Sequence, residues 1–193
     1  TGLHQYLSGV MFNMMRDDID RILISEEELK SKVAELGAQI TRDYAGKKPL
    51  LVSVLKGAAV FMTDLMRSIE LPLSIDFMCV SSYGKGTTSR GSAKILKDLD
   101  VDIADKDLLI VEDILDSGIT LSYVMEMLRQ RHPASIRLCA LLDKPDRRQR
   151  PVKLDYLGFT IPDEFVVGYG LDYAETYRNL PYVGILKREV YTK

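Results

Sequence analysis

LLIVEDILDSGITL, residues 108–121, decides how the rest of the chain is read. Leu108 to Val111 are apolar without alternation, the pattern of a strand buried on both faces. Glu112 and Asp113 end that run. A short turn at Ile114 and Leu115 leads to Asp116-Ser117-Gly118-Ile119-Thr120, which opens a helix-period segment, GITLSYVMEMLRQR (118–131). The first turn of a helix has N–H groups without intrahelical partners, and its dipole favours an anion. Gly118 permits close approach, and the hydroxyls of Ser117 and Thr120 add donors, so Asp116 to Thr120 form a cradle for a phosphomonoester. Carboxylates would repel that phosphate. Glu112 and Asp113 instead suit the hydroxyls of a ribose diol, or act as outer ligands of Mg2+. Neighbours on a strand point to opposite faces, so the two acids are expected to do different work. The plainer alternative for Asp116 is a helix cap.

Outward from this segment, strands and helices alternate. Ser25 followed by Glu26, Glu27 and Glu28 is a helix start, and Leu29, Val33, Leu36 and Ile40 follow at helical spacing. LLVSVL (50–55) is a β-rich run ending at Lys56-Gly57, AAVFMTDLMRSI (58–69) has helical period, and SIDFMCVSSY (74–83) is the next strand. SIRLCALLDK (135–144) is another apolar strand, and LDYLGF (154–159), EFVVGY (164–169) and PYVGIL (181–186) are later short ones. GKGTTSRGS (84–92) has three glycines, four hydroxyl residues, two cations and no apolar anchor, and is expected to be a loop. The alternation predicts an α/β fold, a central parallel sheet flanked by helices, with ligands at the carboxyl ends of the strands.

The chain of 193 residues is long enough for one core, with 46% apolar and 28% charged residues. A net charge of -2 argues against a general nucleic-acid binder. Cys79 and Cys139 each lie in an apolar run and are expected as buried residues of adjacent strands, a pattern that suits a reducing compartment. With two histidines and two cysteines there is no zinc-type cluster, and no apolar run is long enough to span a membrane. Residues 1–13 read as a tag or an extended start, with Met11, Met14 and Met15 as alternative beginnings.

VEDILDSGIT (111–120) resembles the phosphoribosyl pyrophosphate loop of the type I phosphoribosyltransferases, and the resemblance runs from about residue 17 to 190. It is nearest to the bacterial-style hypoxanthine(-guanine) branch. The resemblance implies purine salvage: transfer of 5-phosphoribosyl to N9 of hypoxanthine or guanine, giving IMP or GMP and pyrophosphate, with Mg2+ as cofactor. It gives Glu112 and Asp113 to the ribose hydroxyls and the metal. Asp116, Ser117, Gly118, Ile119 and Thr120 go to the 5-phosphate, and Asp116 also to proton transfer. VLKGA (54–58) resembles the pyrophosphate loop, with an unusual peptide at Lys56-Gly57. SSYGKGTTSRG (81–91) resembles the lid, with Ser82 and Tyr83 as its pair. DEFVVGYGLDYAETYR (163–178) resembles the base-binding hood, with Phe165 and Val166 on the purine, Asp172 on the purine side and the metal, and Arg178 on pyrophosphate. Lys144 matches the lysine that donates to the 6-oxo group. Ile119 departs from some relatives, which have lysine there.

The resemblance further implies one phosphoribosyltransferase domain over 14–193, with a core of about 30–150 and a hood from about 14–29 and 151–193. It also implies a cytoplasmic homodimer or homotetramer acting on small molecules, with no nucleic-acid or membrane partner. Two alternatives stay open on the residues alone: a regulatory RNA-binding protein on the same scaffold, and an enzyme preferring xanthine.

Overall fold

The structure, a computed structural model, describes residues 14–81 and 94–192. They divide into two compact units, a larger one from Lys30 to Asp163 and a smaller one from the segments up to Leu29 and from Glu164 onward.

The larger unit holds strands β2 (Leu50–Leu55), β3 (Ser74–Ser81), β4 (Lys94–Lys97), β5 (Asp107–Leu115), β6 (Ser135–Asp143) and β7 (Tyr156–Thr160). Among the described residues these form one sheet in the order β4-β3-β2-β5-β6-β7. All pairings are parallel except that of the edge strand β4, which runs antiparallel to β3. The continuous apolar runs have a direct cause. Leu50, Val52, Leu108, Ile110, Leu138 and Ala140 meet Leu121, Val124, Met125 and Leu128 of helix α3 (Ile119–Arg129) in one core. Alternation sends Leu51, Leu109 and Val111 to the other face, where helix α2 (Ala59–Arg67) packs on β2 and β5. Leu51, Leu109 and Val111 are fully buried, so both faces of the central strands are closed to water.

The sheet explains two differences from expectation. Cys79 on β3 and Cys139 on β6 are separated by β2 and β5, so their strands are not adjacent. Cys139 is buried, with its thiol pKa pushed up by burial, whereas Cys79 is only half-buried. The larger unit also continues to Asp163 instead of about residue 150, because β7 pairs in parallel with β6 from Cys139–Tyr156 to Asp143–Thr160.

Helix α1 (Glu26–Asp43) begins at the expected capping box: Ser25 N–H donates to Glu28 Oε2 (2.8 Å) and Ser25 Oγ accepts from Glu28 N–H (3.2 Å). These bonds hold the Glu28 carboxyl below its usual range.

In the smaller unit, β1 (Ile19–Ile24), β9 (Val183–Leu186) and β8 (Val166–Val167) form an antiparallel sheet in the order β1-β9-β8. Val167, Tyr177, Leu180, Tyr182 and Leu186 make its core. A four-residue helix α4 (Arg188–Tyr191) follows β9. No helix among the described residues is long and apolar enough to cross a membrane.

Candidate active site

Strand order reverses between β2 and β5, since β3 and β4 lie outward of β2, and β6 and β7 outward of β5. Such a reversal opens a crevice at the carboxyl ends of the two central strands. Here β2 and β5 pair up to Ser53–Val111 and no further, with Ser53 Oγ donating to Val111 O at 2.6 Å. Beyond that point β5 stays paired with β6 as far as Leu115–Asp143. A cleft of about 280 Å3 lies there, bordered by Leu55 and Gly57 on one side and by Glu112, Asp113, Asp116, Ser117, Gly118 and Thr120 on the other.

Both acids border this one cleft. They lie within β5, just past its last pairing with β2. Enclosure pushes the Glu112 carboxyl well above its ordinary value, and the neighbouring Asp113 carboxylate adds to the effect. Asp113 Oδ1 accepts from Ile114 N–H (2.7 Å). Strand β5 runs on through Ile114 and Leu115, which the sequence suggested as a turn.

The turn that follows is held from behind by the segment after β6. Leu115 O accepts from Lys144 N–H (3.0 Å), and Ser117 O accepts from the N–H groups of Gln149 (2.9 Å) and Arg150 (3.1 Å). Arg148 Nε donates to Asp116 O (2.9 Å), and its guanidinium pairs with Asp143. The carbonyls of 115–117 are committed to that side, and in the first turn of α3 the Ile119 N–H makes a long bond to Ser117 Oγ (3.4 Å); first-turn amides have no intrahelical carbonyl partners and suit an anion. Gly118 sits at φ 77° and caps α3. A Cβ there would lie 2.5 Å from Arg150 O, so this position needs glycine for conformation and for space alike. Asp116 is thus not the helix cap. Its Oδ1 is buried without a hydrogen-bond partner, 3.6 Å from Arg147 Nε.

Lys144 is 5% exposed, just past β6, and its Nζ lies 4.0 Å from Asp163 Oδ1. Ile119 is the first residue of α3. Gly57 borders the cleft, and Lys56 is exposed. The unusual peptide is the cis bond Leu55–Lys56, one residue before the expected Lys56-Gly57. Arg147, Arg148 and Asp163 were not singled out from the sequence. For the two arginines the signal was the run DKPDRRQR (143–150) directly after an apolar strand.

The remaining residues belong to the smaller unit. Phe165 is 37% exposed, stacked on Tyr191 (4.7 Å between ring centres, 21°) and edge-on to Tyr173. Val166 is buried in β8. Asp172 Oδ1 pairs with Arg178 (3.1 Å), and Asp172 Oδ2 accepts from Glu175 N–H (2.9 Å). The Arg178 guanidinium also donates to Gly170 O (2.8 Å), while its buried Nε has no hydrogen-bond partner. The hairpin carrying them has left-handed backbone at Tyr169, Ala174, Glu175 and Tyr177, conformations that cost side-chain-bearing residues and concentrate at functional sites. Ser82 and Tyr83 lie outside the described residues.

No group of three or more His, Cys, Asp or Glu side chains among the described residues converges as a metal cage. Glu112 and Asp113 do suit Mg2+, which binds through one or two carboxylates and keeps substrate oxygens and waters as its other ligands. A cation would also relieve the uncompensated enclosure of Glu112.

The phosphoribosyl transferase domain model matches residues 21–174. The chain belongs to that family. It is 56% identical over 178 residues to the hypoxanthine-guanine phosphoribosyltransferase of Bacillus subtilis, covering 92% of this chain and 99% of that protein. It is 55% identical over 179 residues to the bifunctional protein TilS/HprT of Listeria innocua, but spans only 28% of that protein's length. A crystal structure of a hypoxanthine phosphoribosyltransferase from Staphylococcus aureus aligns with a TM-score of 0.90 at 52% identity, covering 93% of this chain and 98% of that one.

Proposed function

We propose that the chain is a hypoxanthine(-guanine) phosphoribosyltransferase of purine salvage. It joins N9 of hypoxanthine or guanine to C1 of the ribosyl group of phosphoribosyl pyrophosphate and releases pyrophosphate. The observation that carries this reading is the single cleft at the β2/β5 crevice, which combines two carboxylates with a left-handed glycine turn into α3. That is an arrangement for sugar hydroxyls at one end and a monoester phosphate at the other. The family match and the names of relatives above half identity supply the substrate class.

On this reading the first turn of α3, with Ser117, Gly118, Ile119 and Thr120, holds the 5-phosphate, and Glu112 and Asp113 hold the ribose hydroxyls. Glu112, Asp113 and Asp172 are the residues that would hold Mg2+, through substrate oxygens and waters rather than as one cage, and the ion would supply charge neutralisation for the pyrophosphate. Lys56, Gly57 and Arg178 address the pyrophosphate. As the C1–O bond to pyrophosphate breaks and N9 bonds to C1, Asp116 Oδ1 accepts the proton leaving N7. Its buried, unpartnered state leaves a lone pair ready for that proton. Lys144 donates to the 6-oxygen and disfavours adenine, whose 6-amino group is itself a donor. Phe165 stacks on the purine and Val166 offers its backbone. The enzyme acts in the cytoplasm as a homodimer or homotetramer.

The test is a spectrophotometric assay with Mg2+ and phosphoribosyl pyrophosphate, giving hypoxanthine, guanine, xanthine, adenine or uracil in turn. Turnover of hypoxanthine and guanine with none of adenine is expected. No turnover of any purine, with nucleotide still bound, overturns the reading.

A further inference from the structure

A line of alternating charge runs through the larger unit. Lys144 Nζ lies 4.0 Å from Asp163 Oδ1, the same oxygen lies 3.5 Å from Arg147 Nη1, and Arg147 Nε lies 3.6 Å from Asp116 Oδ1. At its two ends Lys144 is 5% exposed, and the Oδ1 atom of Asp116 is buried with no hydrogen-bond partner, although the rest of that side chain is nearly as open as Arg147 and Asp163. Ion pairs between two exposed side chains count for little, because water screens both partners, and the central Arg147–Asp163 link is of that kind. The two outer links each end on an enclosed atom, the Lys144 ammonium and Asp116 Oδ1.

The geometry points to Arg147 and Asp163 as positioning residues for the phosphoribosyl transfer, coupling the lysine that reads the base to the carboxylate that takes its proton. The inference rests on the proposed roles of Lys144 and Asp116. The separations are longer than hydrogen bonds, which for N–H to O run to about 3.2 Å. At such a distance Arg147 attracts and orients the carboxylate without occupying its lone pair, so Oδ1 stays open to the purine proton. A bidentate arginine would saturate it. The neighbouring arginine cannot substitute, since Arg148 is already bound to Asp143 and to the carbonyls of Leu115 and Asp116. Asp163 faces both cations at once and so ties the position of Lys144 to that of Arg147. The two adjacent arginines therefore divide the work: Arg148 fixes the backbone of the phosphate turn, and Arg147 fixes the side chain of its aspartate.

The experiment compares steady-state kinetics of Arg147→Gln, Arg147→Lys, Asp163→Asn and the Arg147→Gln/Asp163→Asn double variant with wild type and Asp116→Asn. Thermal melts confirm folding. Arg147→Gln is expected to lower kcat about fivefold while KM for phosphoribosyl pyrophosphate stays put, with Arg147→Lys recovering most of the loss. Asp163→Asn is expected to raise KM for hypoxanthine about threefold as well as lowering kcat. The double variant should be no worse than the poorer single one, as expected for links in one chain. Unchanged kcat in Arg147→Gln, or a loss confined to KM for phosphoribosyl pyrophosphate, or multiplicative losses in the double variant, overturn the coupling while an impaired Asp116→Asn leaves the proposed function standing. A fully active Asp116→Asn overturns both.

Discussion

Replacing Gly118 by alanine tests the phosphate turn where its geometry is most demanding. The residue sits at φ 77°, and a left-handed backbone costs a residue with a Cβ about 1–2 kcal/mol. The new Cβ would also stand 2.5 Å from Arg150 O, a backbone atom that cannot rotate away. Relief comes only if the 148–152 segment withdraws, which breaks the bonds that Gln149 and Arg150 donate to Ser117 O. Two such bonds are worth about 2 kcal/mol together. Alanine stiffens the unfolded chain and returns about 0.5 kcal/mol. The net loss is about 3 kcal/mol, a shift of roughly 1.5 M in the urea midpoint for a slope near ~2 kcal/mol/M. The withdrawn segment also releases the carbonyls that turn the α3 amides toward the cleft. KM for phosphoribosyl pyrophosphate should therefore rise by about tenfold or more, the rate equivalent of ~1.4 kcal/mol. Urea denaturation and initial-rate kinetics on the same preparation read both quantities. A variant within ~0.5 kcal/mol of wild type, with unchanged KM, would refute the account of why glycine is there.

Two further predictions follow from buried acids and phenols. The folded-state pKa of Glu112 lies above its ordinary value, first through enclosure and then through Asp113. Its contribution to stability is complete below the ordinary pKa of 4.5 and is lost as pH rises through the raised value. Glu112→Gln, neutral at every pH, should gain on wild type as pH rises across that interval, and parallel urea midpoints for the two proteins would contradict this. Tyr177 donates to Asp18 Oδ2 at 2.7 Å, and burial with that aspartate pushes its pKa up to about 12. Tyr177→Phe should lower the melting temperature by about 2–6 °C, the equivalent of ~1–2 kcal/mol, and an unchanged melt would show the bond to be idle.

Much of the larger unit was legible because its strands are buried on both faces. Runs such as LLVSVL and SIRLCALL have no polar alternation, and β2 and β6 fall on them. The capping box at Ser25 was equally readable, since its partners are three residues apart. Strand β1, IDRILI, was missed: it is mostly exposed and pairs with β9 through register shifts, so no period marks it. The edge strand β4, KILK, has alternating exposure over only four residues. At the site, local chemistry showed the turn from Asp116 to Thr120 but not its support. Arg147 and Arg148 act on a loop about thirty positions earlier, and a charged run reads as a solvated surface until the chain is folded.

The central claim is that the turn from β5 into α3 holds ribose 5-phosphate while Asp116 takes the purine proton. Asp116→Asn keeps the side chain's shape and removes its basicity, so its kcat with hypoxanthine, measured beside the binding of phosphoribosyl pyrophosphate, tests the claim most directly. The account predicts a fall in kcat of about a hundredfold or more with binding nearly unchanged, the range for loss of a general base. A variant that binds and turns over like wild type would contradict it.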